Sequence, residues 1–456
     1  MYYSEHKRYV KNLTVHHIWE VLRDSPGVRT RPRGLADVQS TNRLEADCLT
    51  TEFGALSNIV AAARDGNGKL ITMNASGKSG VAPPKVLKRV VIIGGGATGT
   101  GIARDAAARG YDVVLIDRGE LGNGTSGNFH GILHSGARYA VNDVAVAAEC
   151  FQENQLLRHI VPSAITDTGG LFVALSDEEV IHSRVLISAC ANAGIPVQVL
   201  TAEQAFQVEP GLSKSLKMAF TVPDGFIDGA ELLRLNRLAA VEAKVPATFL
   251  TDHIVVGLER TGDAVSSVSV RDTRTGTVEH INCDYVVNAS GVWAGEIADM
   301  AGLRLDMVYD KGAMLIFDQQ YNRAVLNRCR PENDGDLLAS HAGQSIMGTT
   351  SRIITDPDDC SPTQEEIDIL MHEGAAMVPA LRDAKILFAY AGVRPLLKEN
   401  GKRHAPNTRS MSRSFRVLDH TEQGIGNFIS IVGGKVTLYR RMAEAVVDLL
   451  DVKSSR

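Results

Sequence analysis

Paired cysteines are missing from this 456-residue sequence: Cys48, Cys150, Cys190, Cys283, Cys329 and Cys360 are scattered and never form a CxxC motif. That spacing argues against a zinc ribbon or a cysteine-ligated iron–sulfur cluster. No N-terminal signal sequence is evident, which favours a reducing, cytoplasmic setting over a disulfide framework. Long apolar runs are lacking too. The most apolar segment, Val90 to Ala103, is bounded by Arg89 and Arg104 and falls short of the roughly 20 residues needed to cross a bilayer. A soluble or peripheral protein is therefore expected, with no transmembrane segment. Nor is there an excess of positive charge: a net charge of -5 and a pI near 6.2 leave no electrostatic footprint for nucleic acid. Internal repeats and low-complexity tracts are not evident.

What is present is length and a glycine-rich turn. At 456 residues the chain exceeds what one core usually serves, so two interwoven domains are expected. Val90, Val91, Ile92 and Ile93 form a short apolar run, as a parallel strand buried on both faces requires. The run enters Gly94, Gly96 and Gly99, which satisfy GxGxxG, and Ile102 to Arg109 read as a helix ended by Gly110. A second apolar run, Val113 to Ile116, ends on Asp117. In this arrangement Gly94 permits the tight turn, Gly96 lets the backbone approach a pyrophosphate, and Gly99 lets helix and strand pack closely. Asp117 stands where a carboxylate accepts hydrogen bonds from an adenosine ribose. A dinucleotide site follows from the agreement of strand, turn, helix, second strand and acid.

Residues 1–85 precede this motif and read as a poorly ordered extension, with one short helix at Leu56 to Arg64 and a Gly/Ser/Lys/Pro-rich linker from Asn67 to Pro84. After Asp117, residues 122–131 are dense in Gly, Ser, Thr and Asn, whose donors suit a loop lying along a cofactor. Helices are expected at Val144 to Ile160, Glu178 to Ala193 and Ala230 to Lys244, and Val222 to Asp228 is turn-rich. Strands are expected at Gly169 to Leu175, Ile254 to Leu258, Val265 to Asp272 and Tyr285 to Asn288. The last of these runs into Ala289, Ser290 and Gly291 before a helix at Ala294 to Ala301. Lys311 to Phe317, Ser345 to Thr350 and Ile386 to Val393 read as antiparallel sheet. Phe428 to Val432 is a last buried strand entering Gly433, Gly434 and Lys435, followed by a closing helix from Val436 to Leu450.

Four cations stand beside glycine or proline punctuation, where the backbone is fixed and a side chain can be aimed. They are Arg138 (HSGARY), Arg394 (YAGVRPL), Arg413 (MSRSF) and Lys435 (VGGKVTLYR). Forked arginine donors with a lysine point charge suit an anionic substrate, a phosphate above all. For each one an ordinary ion pair is the competing account, and spacing alone does not bring the four together. His134 is the best-placed base, following the cofactor strands and preceding Arg138 on one segment; a neutral imidazole can take a hydroxyl proton near neutral pH. His130 is the second histidine of that segment, with cofactor contact as its functional account.

Taken in order, IIGGGATGTGIARD, HGILHSGARYAV, ENQLLR, VPDGFID, VVNASGVW, NRCRP, MGTTS, YAGVRPL and GGKVTLYRRMAE make the chain from about Arg89 to Ala445 resemble the FAD-dependent glycerol-3-phosphate dehydrogenases, in particular their anaerobic bacterial branch. The resemblance implies an α/β fold: a discontinuous, Rossmann-like FAD-binding domain (86–165, 225–301 and 390–456) with a mainly antiparallel α+β cap (166–224 and 302–389) for substrate. It implies FAD as cofactor, with Gly94, Gly96, Gly99 and Asp117 on its ADP half. Thr125 and Ser126 lie along the pyrophosphate and flavin, and Val255 and Gly291 offer backbone contacts. It assigns substrate phosphate to Arg394, Arg413 and Lys435, places Arg138 and Tyr139 near the reacting carbons, and makes His134 the group that assists proton removal. The implied reaction is oxidation of sn-glycerol 3-phosphate to dihydroxyacetone phosphate, with electrons passed, at the inner face of the cell membrane, to a quinone or a partner subunit. Members of this branch carry a further C-terminal cysteine-containing domain, and this sequence stops at Arg456, which leaves quinone, oxygen and a partner subunit open as acceptors. An FAD oxidase or dehydrogenase of an amino acid or 2-hydroxy acid, and a non-catalytic flavoprotein partner, are the competing accounts.

Overall fold

The structure is a computed structural model that describes residues 62–64, 70–72, 87–398, 408–411 and 414–455. The chain divides into two units, residues 21–87 and the remainder. In the first, Ala62–Arg64 and Leu70–Thr72 pair antiparallel with Ala63 opposite Ile71. The last turn of the expected helix at 56–64 is therefore a strand, and part of the expected linker is its partner. The Asp-Gly-Asn-Gly sequence between the two is a hairpin signal that the linker assignment passed over. Residues 56–61 and the remainder of the expected extension lie outside the described residues.

The second unit is built on two large sheets. One has six strands in the order Thr248–Leu250, Asp112–Ile116, Arg89–Ile93, Tyr285–Asn288, Phe428–Gly433, Phe415–Asp419, all parallel except the last. Its strands come from three distant parts of the chain, so the sheet is discontinuous in sequence. Val90, Ile92, Val113 and Leu115 pack on one face with Ile102 and Ala106 of helix Ala97–Ala108 and with Met442 and Val446 of helix Tyr439–Ser454. Val91, Ile93, Val114 and Ile116 pack on the other with Val255, Val265 and Val268 of the antiparallel sheet 253–282. Both faces are covered, which is why these strands read as unbroken apolar runs instead of alternating ones.

The other large sheet has nine strands and is mainly antiparallel. Met307–Phe317 lies next to one edge of it, paired on one side with the edge strand Ile386–Leu397 and on the other with Gln344–Gly348 and Arg352–Ile354. Leu337–His341, Val325–Arg328, Gly170–Ala174, Met218–Val222 and Gln198–Leu200 extend it in that order. Two helices back this sheet: Asp177–Asn192, whose N-cap Ser176 accepts from Glu179 N–H, and Gln364–Met377, begun by a Thr363/Glu366 capping box.

The turn-rich segment Val222 to Asp228 holds a short strand, Gly225–Ile227, which pairs with Ile132–Leu133 and Ile165–Thr166 in a small sheet of its own. The stretch expected as antiparallel sheet, Ile386 to Val393, is part of strand Ile386–Leu397 of the nine-stranded sheet, and residues 390–397, which the resemblance assigned to the FAD-binding portion, pair in that sheet with residues 307–314. Among the described residues no helix is long and apolar enough to cross a membrane.

Candidate active site

A single cavity runs from Asp117, at the carboxyl ends of the parallel strands, to Lys435 beside the antiparallel sheet. At its first end the glycines leave no room for side chains. Gly94 has φ +112°, and a Cβ there would meet Ala289 O at 2.4 Å; a Cβ on Gly99 would lie 1.8 Å from Gly94 O. Helix Ala97–Ala108 begins at Gly96 with no side-chain cap and no acid in its first turn, so its amide groups and positive end are available to an anion. Ala97 N–H donates to Ser126 Oγ at 2.9 Å, which draws the 122–128 loop onto that end. Asp117 accepts from Gly95 N–H at 2.6 Å and from Gly119 N–H at 2.9 Å. Burial pushes its carboxyl above the ordinary range, and the two backbone donors oppose that rise.

Val255 lines the cavity next to a register shift in strand His253–Thr261. Gly291, at φ +62°, turns the chain between strand Tyr285–Asn288 and the following helix. Nearby, the Arg118 guanidinium lies 3.7 Å above the Trp293 ring and pairs with Asp358 at 2.9 Å. Thr125 crosses to the other sheet: its hydroxyl donates to Val393 O at 2.6 Å.

At the second end the antiparallel sheet comes close to the 122–131 loop. A Cβ on Gly392 would lie 2.1 Å from Asn128 O. Three rings stand edge to face here, His130 to His134 at 5.2 Å and His134 to Tyr139 at 5.5 Å, and Lys435 Nζ sits 4.2 Å from the Tyr139 ring centre. Ile132 N–H donates to His130 Nδ1 at 3.1 Å, so the neutral His130 carries its proton on Nε2. Burial, then the charges of Arg394 and Arg138, pushes His130 down to about 3. Burial lowers His134 well below the usual histidine range, and His130, Arg138 and Lys435 lower it further. Both rings are neutral at physiological pH.

Each cavity arginine at this end is held by an aspartate. Arg394 donates to Asp310 at 2.9 Å and to Thr349 Oγ1 at 2.8 Å, and its guanidinium occupies the space that a Cβ on Gly312 would claim. Arg138 donates to Asp336 at 2.7 Å. Arg409 pairs with Asp334, which also accepts from Arg352 at 2.8 Å. Thr408, next to Arg409, lies 3.1 Å from Ser351 Oγ, and Ser351 in turn donates to Asp310 at 2.7 Å.

The fold thus brings Gly94, Gly96, Asp117, Thr125, Ser126, Val255, Gly291, His134, Arg138, Tyr139, Arg394 and Lys435 to the lining of one cavity. Gly99 lies behind the wall, against Gly94. Arg413 lies outside the described residues. Sequence reasoning passed over Arg409, Thr349 and Glu332, which also line the cavity, and the aspartates behind them. The run of charges in NRCRPENDGD was the available signal for Glu332, Asp334 and Asp336; Arg409 and Asp310 had none. Among the described residues no group of acidic, histidine and cysteine side chains could hold a metal ion, and the five described cysteines are unpaired thiols.

Residues 89–434 match the family described as DAO, FAD dependent oxidoreductase. The chain is 43% identical over 362 residues to an Escherichia coli K12 protein named as a subunit of anaerobic glycerol-3-phosphate dehydrogenase. That alignment covers 79% of this chain and 66% of the relative, so the chain spans just under two thirds of that protein's length. Among solved structures it is similar to a glycerol-3-phosphate dehydrogenase from Bacillus halodurans complexed with FAD, at a TM-score of 0.60 and 25% identity over 80% of this chain and 64% of that one. A glycine oxidase from Geobacillus kaustophilus shares the fold, at a TM-score of 0.65 and 21% identity over 80% of this chain and 95% of the other. The glycine turn, the helix start and the acid at the end of the second parallel strand are the parts a dinucleotide fold is built from, and the match extends through both sheets to the Gly433–Gly434 turn: the chain belongs to the DAO family of FAD-dependent oxidoreductases.

Proposed function

We propose that this protein oxidises sn-glycerol 3-phosphate to dihydroxyacetone phosphate. The observation that carries the proposal is the meeting of Arg138, Arg394, Arg409 and Lys435 with a buried neutral histidine at one end of the FAD-family cavity. A single carboxylate, as in an amino acid or 2-hydroxy acid, needs fewer cations than this, and a phosphate dianion makes use of them. The name of the E. coli relative supports the same substrate.

Gly94, Gly96, Gly99 and Asp117 would hold the ADP half of FAD, Thr125 and Ser126 its pyrophosphate and flavin side, and the backbone at Val255 and Gly291 would complete the contacts. When bound, FAD supplies the two-electron acceptor for the hydride that leaves the substrate carbon. Arg394 and Lys435 hold the phosphate, and Arg413 is assigned with them. Fixing that remote group positions the C2 hydroxyl toward His134, so binding energy far from the reacting carbon orients it. His134 takes the hydroxyl proton, and Arg138 and Tyr139 hold the carbon end of the substrate. A phosphate dianion among the cations also offsets part of the positive field that lowers His134, which makes the ring a better base once substrate has arrived.

Passage of electrons to a quinone or to a partner subunit completes the proposal. The relative's name, which makes it a subunit, supports the partner route. Association with the inner membrane face through such a partner or a quinone is part of the proposal. The test is anaerobic titration of the purified protein with sn-glycerol 3-phosphate. Bleaching of the oxidised-flavin band at about 450 nm is expected. A flavin band that ignores this substrate but responds to an amino acid or 2-hydroxy acid overturns the proposal, and absence of bound flavin would point to a non-catalytic role.

A further inference from the structure

Arg138 reaches the cavity from a rigid turn. Gly136 before it has φ +94°, and a Cβ there would lie 2.1 Å from Ala147 O. Buried Asp224 accepts from Ser135 N–H at 2.6 Å and fixes the same segment. From that turn the Arg138 side chain crosses to the antiparallel sheet and meets Asp336, which is 1% exposed.

Both oxygens of Asp336 are occupied. Oδ2 accepts from Arg138 at 2.7 Å and from Asn333 N–H at 2.6 Å, and Oδ1 accepts from Arg330 Nε at 2.7 Å. Behind it the charges alternate. Arg330 donates to Glu373 at 2.9 Å, Glu373 also accepts from Arg328 at 3.0 Å, and Arg328 pairs with Glu179. Glu373 stands on helix Gln364–Met377 and Glu179 on helix Asp177–Asn192. Three arginines and three carboxylates therefore link two capped helices to one cavity side chain. A hydrogen-bonded chain with its charges matched is stiff, because breaking any link strands a buried charge.

We propose that Asp336 is the positioning residue for Arg138. It sets the guanidinium beside His134 and Tyr139 at the carbon end of the substrate and acts through Arg138 without touching substrate itself. This rests on the substrate assignment above. Standing beside His134 and Tyr139, Arg138 serves as an aimed hydrogen-bond donor at the carbon end, while phosphate is assigned to Arg394, Arg413 and Lys435. Loss of Asp336 should therefore reduce the rate of the chemical step and leave substrate affinity largely intact.

The experiment is anaerobic stopped-flow reduction of the FAD-loaded protein by sn-glycerol 3-phosphate, with wild type, Asp336→Asn, Arg138→Lys and the double variant. Asp336→Asn keeps the shape and one acceptor. Its limiting reduction rate is expected to fall about 10- to 100-fold, the scale of a small misplacement near a reacting centre, with the apparent Kd changed less than about threefold. The double variant is expected to be no slower than Arg138→Lys alone, because a residue that acts through another adds nothing once that other is altered. An unchanged rate in Asp336→Asn, or losses that multiply in the double variant, overturns the proposal. Should Asp336→Asn fail to retain flavin, Arg330→Gln replaces it, since that variant leaves the Asp336–Arg138 pair and removes only its support; a wild-type rate there overturns the proposal as well. A wild-type protein that glycerol 3-phosphate does not reduce removes the substrate assignment and this inference together. Wild-type reduction with an unimpaired Asp336→Asn removes this inference alone.

Discussion

The two ends of the cavity are made in different ways. The Asp117 end is backbone: glycines with no space for a Cβ, amides at a helix start, and one acid, nearly all within residues 94–126. The Lys435 end is side chains, brought from residues 130–139, 310–352, 392–409 and 433–437, each arginine braced by an aspartate. Backbone tolerates nothing added and little removed. A braced cation can be replaced without a backbone clash, and its removal acts locally, on bound substrate and on the aspartate left unpaired behind it. Substitutions at the first end should therefore abolish cofactor retention, and substitutions at the second should alter kinetics in a protein that keeps its flavin.

The largest effect is expected from Gly99→Ala. Its Cβ would lie 1.8 Å from Gly94 O, and relief of such a clash shifts the helix off the strand at a cost of about 3 kcal/mol or more. Loss of the flavin band and a lower urea midpoint are the expected readings; a stable, yellow Gly99→Ala protein would erase the contrast between the ends. Next comes His134→Gln, which removes the proposed base while leaving its neighbours. Flavin should remain, and the limiting reduction rate should fall about 100- to 10,000-fold, the usual range for a lost general base. A normal rate would show that another group takes the proton. Arg394→Ala follows: loss of a charged hydrogen-bonding partner raises KM for glycerol 3-phosphate by about 10- to 100-fold with flavin still bound. An unchanged KM would remove the phosphate assignment.

The same contrast has a pH signature. His134 is buried and His130 half-buried, both among cations, so they stay neutral in the folded protein at pH values where the unfolded chain, with histidines near 6.5, takes up protons. Folded values below unfolded ones mean that the unfolded state binds more protons below pH 6.5 and gains from acid. Stability falls as pH drops from 6.5 toward about 3 for His130, by at most about 1.4 kcal/mol per pH unit for each histidine. Urea midpoints taken between pH 6.5 and about 4.5 should show a shallower slope in His130→Gln than in wild type. Equal slopes would mean that the ring is protonated in the fold.

Legibility in the sequence divides along the same line. Arg89–Ile93, the Gly94 turn and Asp117 are contiguous, and each residue type answers to a local steric or hydrogen-bonding demand, so that end could be read directly. The helix Val144–Ile160 and the strand Tyr285–Asn288 likewise match their expected bounds, because their apolar patterns are long or uniform. At the other end Arg138, Arg394 and Lys435 were nameable from the punctuation beside them, but not their convergence, since Asp310, Asp334 and Asp336 meet their arginines across 84, 75 and 198 residues. Arg409 has no glycine or proline beside it to single it out. The antiparallel strand at Ile386 to Val393 was legible from its apolar pattern, but nothing local in it names its neighbour, Met307–Phe317, far earlier in the chain.

One bond joins the two ends, and it gives the smallest and most discriminating prediction. Thr125, on the loop at the helix start, donates its hydroxyl to Val393 O, one residue before Arg394. Thr125→Val keeps the shape and removes the donor, which should cost about 1 kcal/mol, the usual net worth of one such hydrogen bond. If the ends were independent, only flavin affinity would change. Because Val393 carries the chain directly into Arg394, a loosened loop should also displace the phosphate site, and KM for glycerol 3-phosphate should rise about two- to threefold even with FAD saturating. A KM that stays fixed while flavin affinity falls would show that the antiparallel sheet alone fixes Arg394, through Asp310 and Thr349. The contrast between a backbone end and a braced side-chain end would then be complete, with no coupling through the loop.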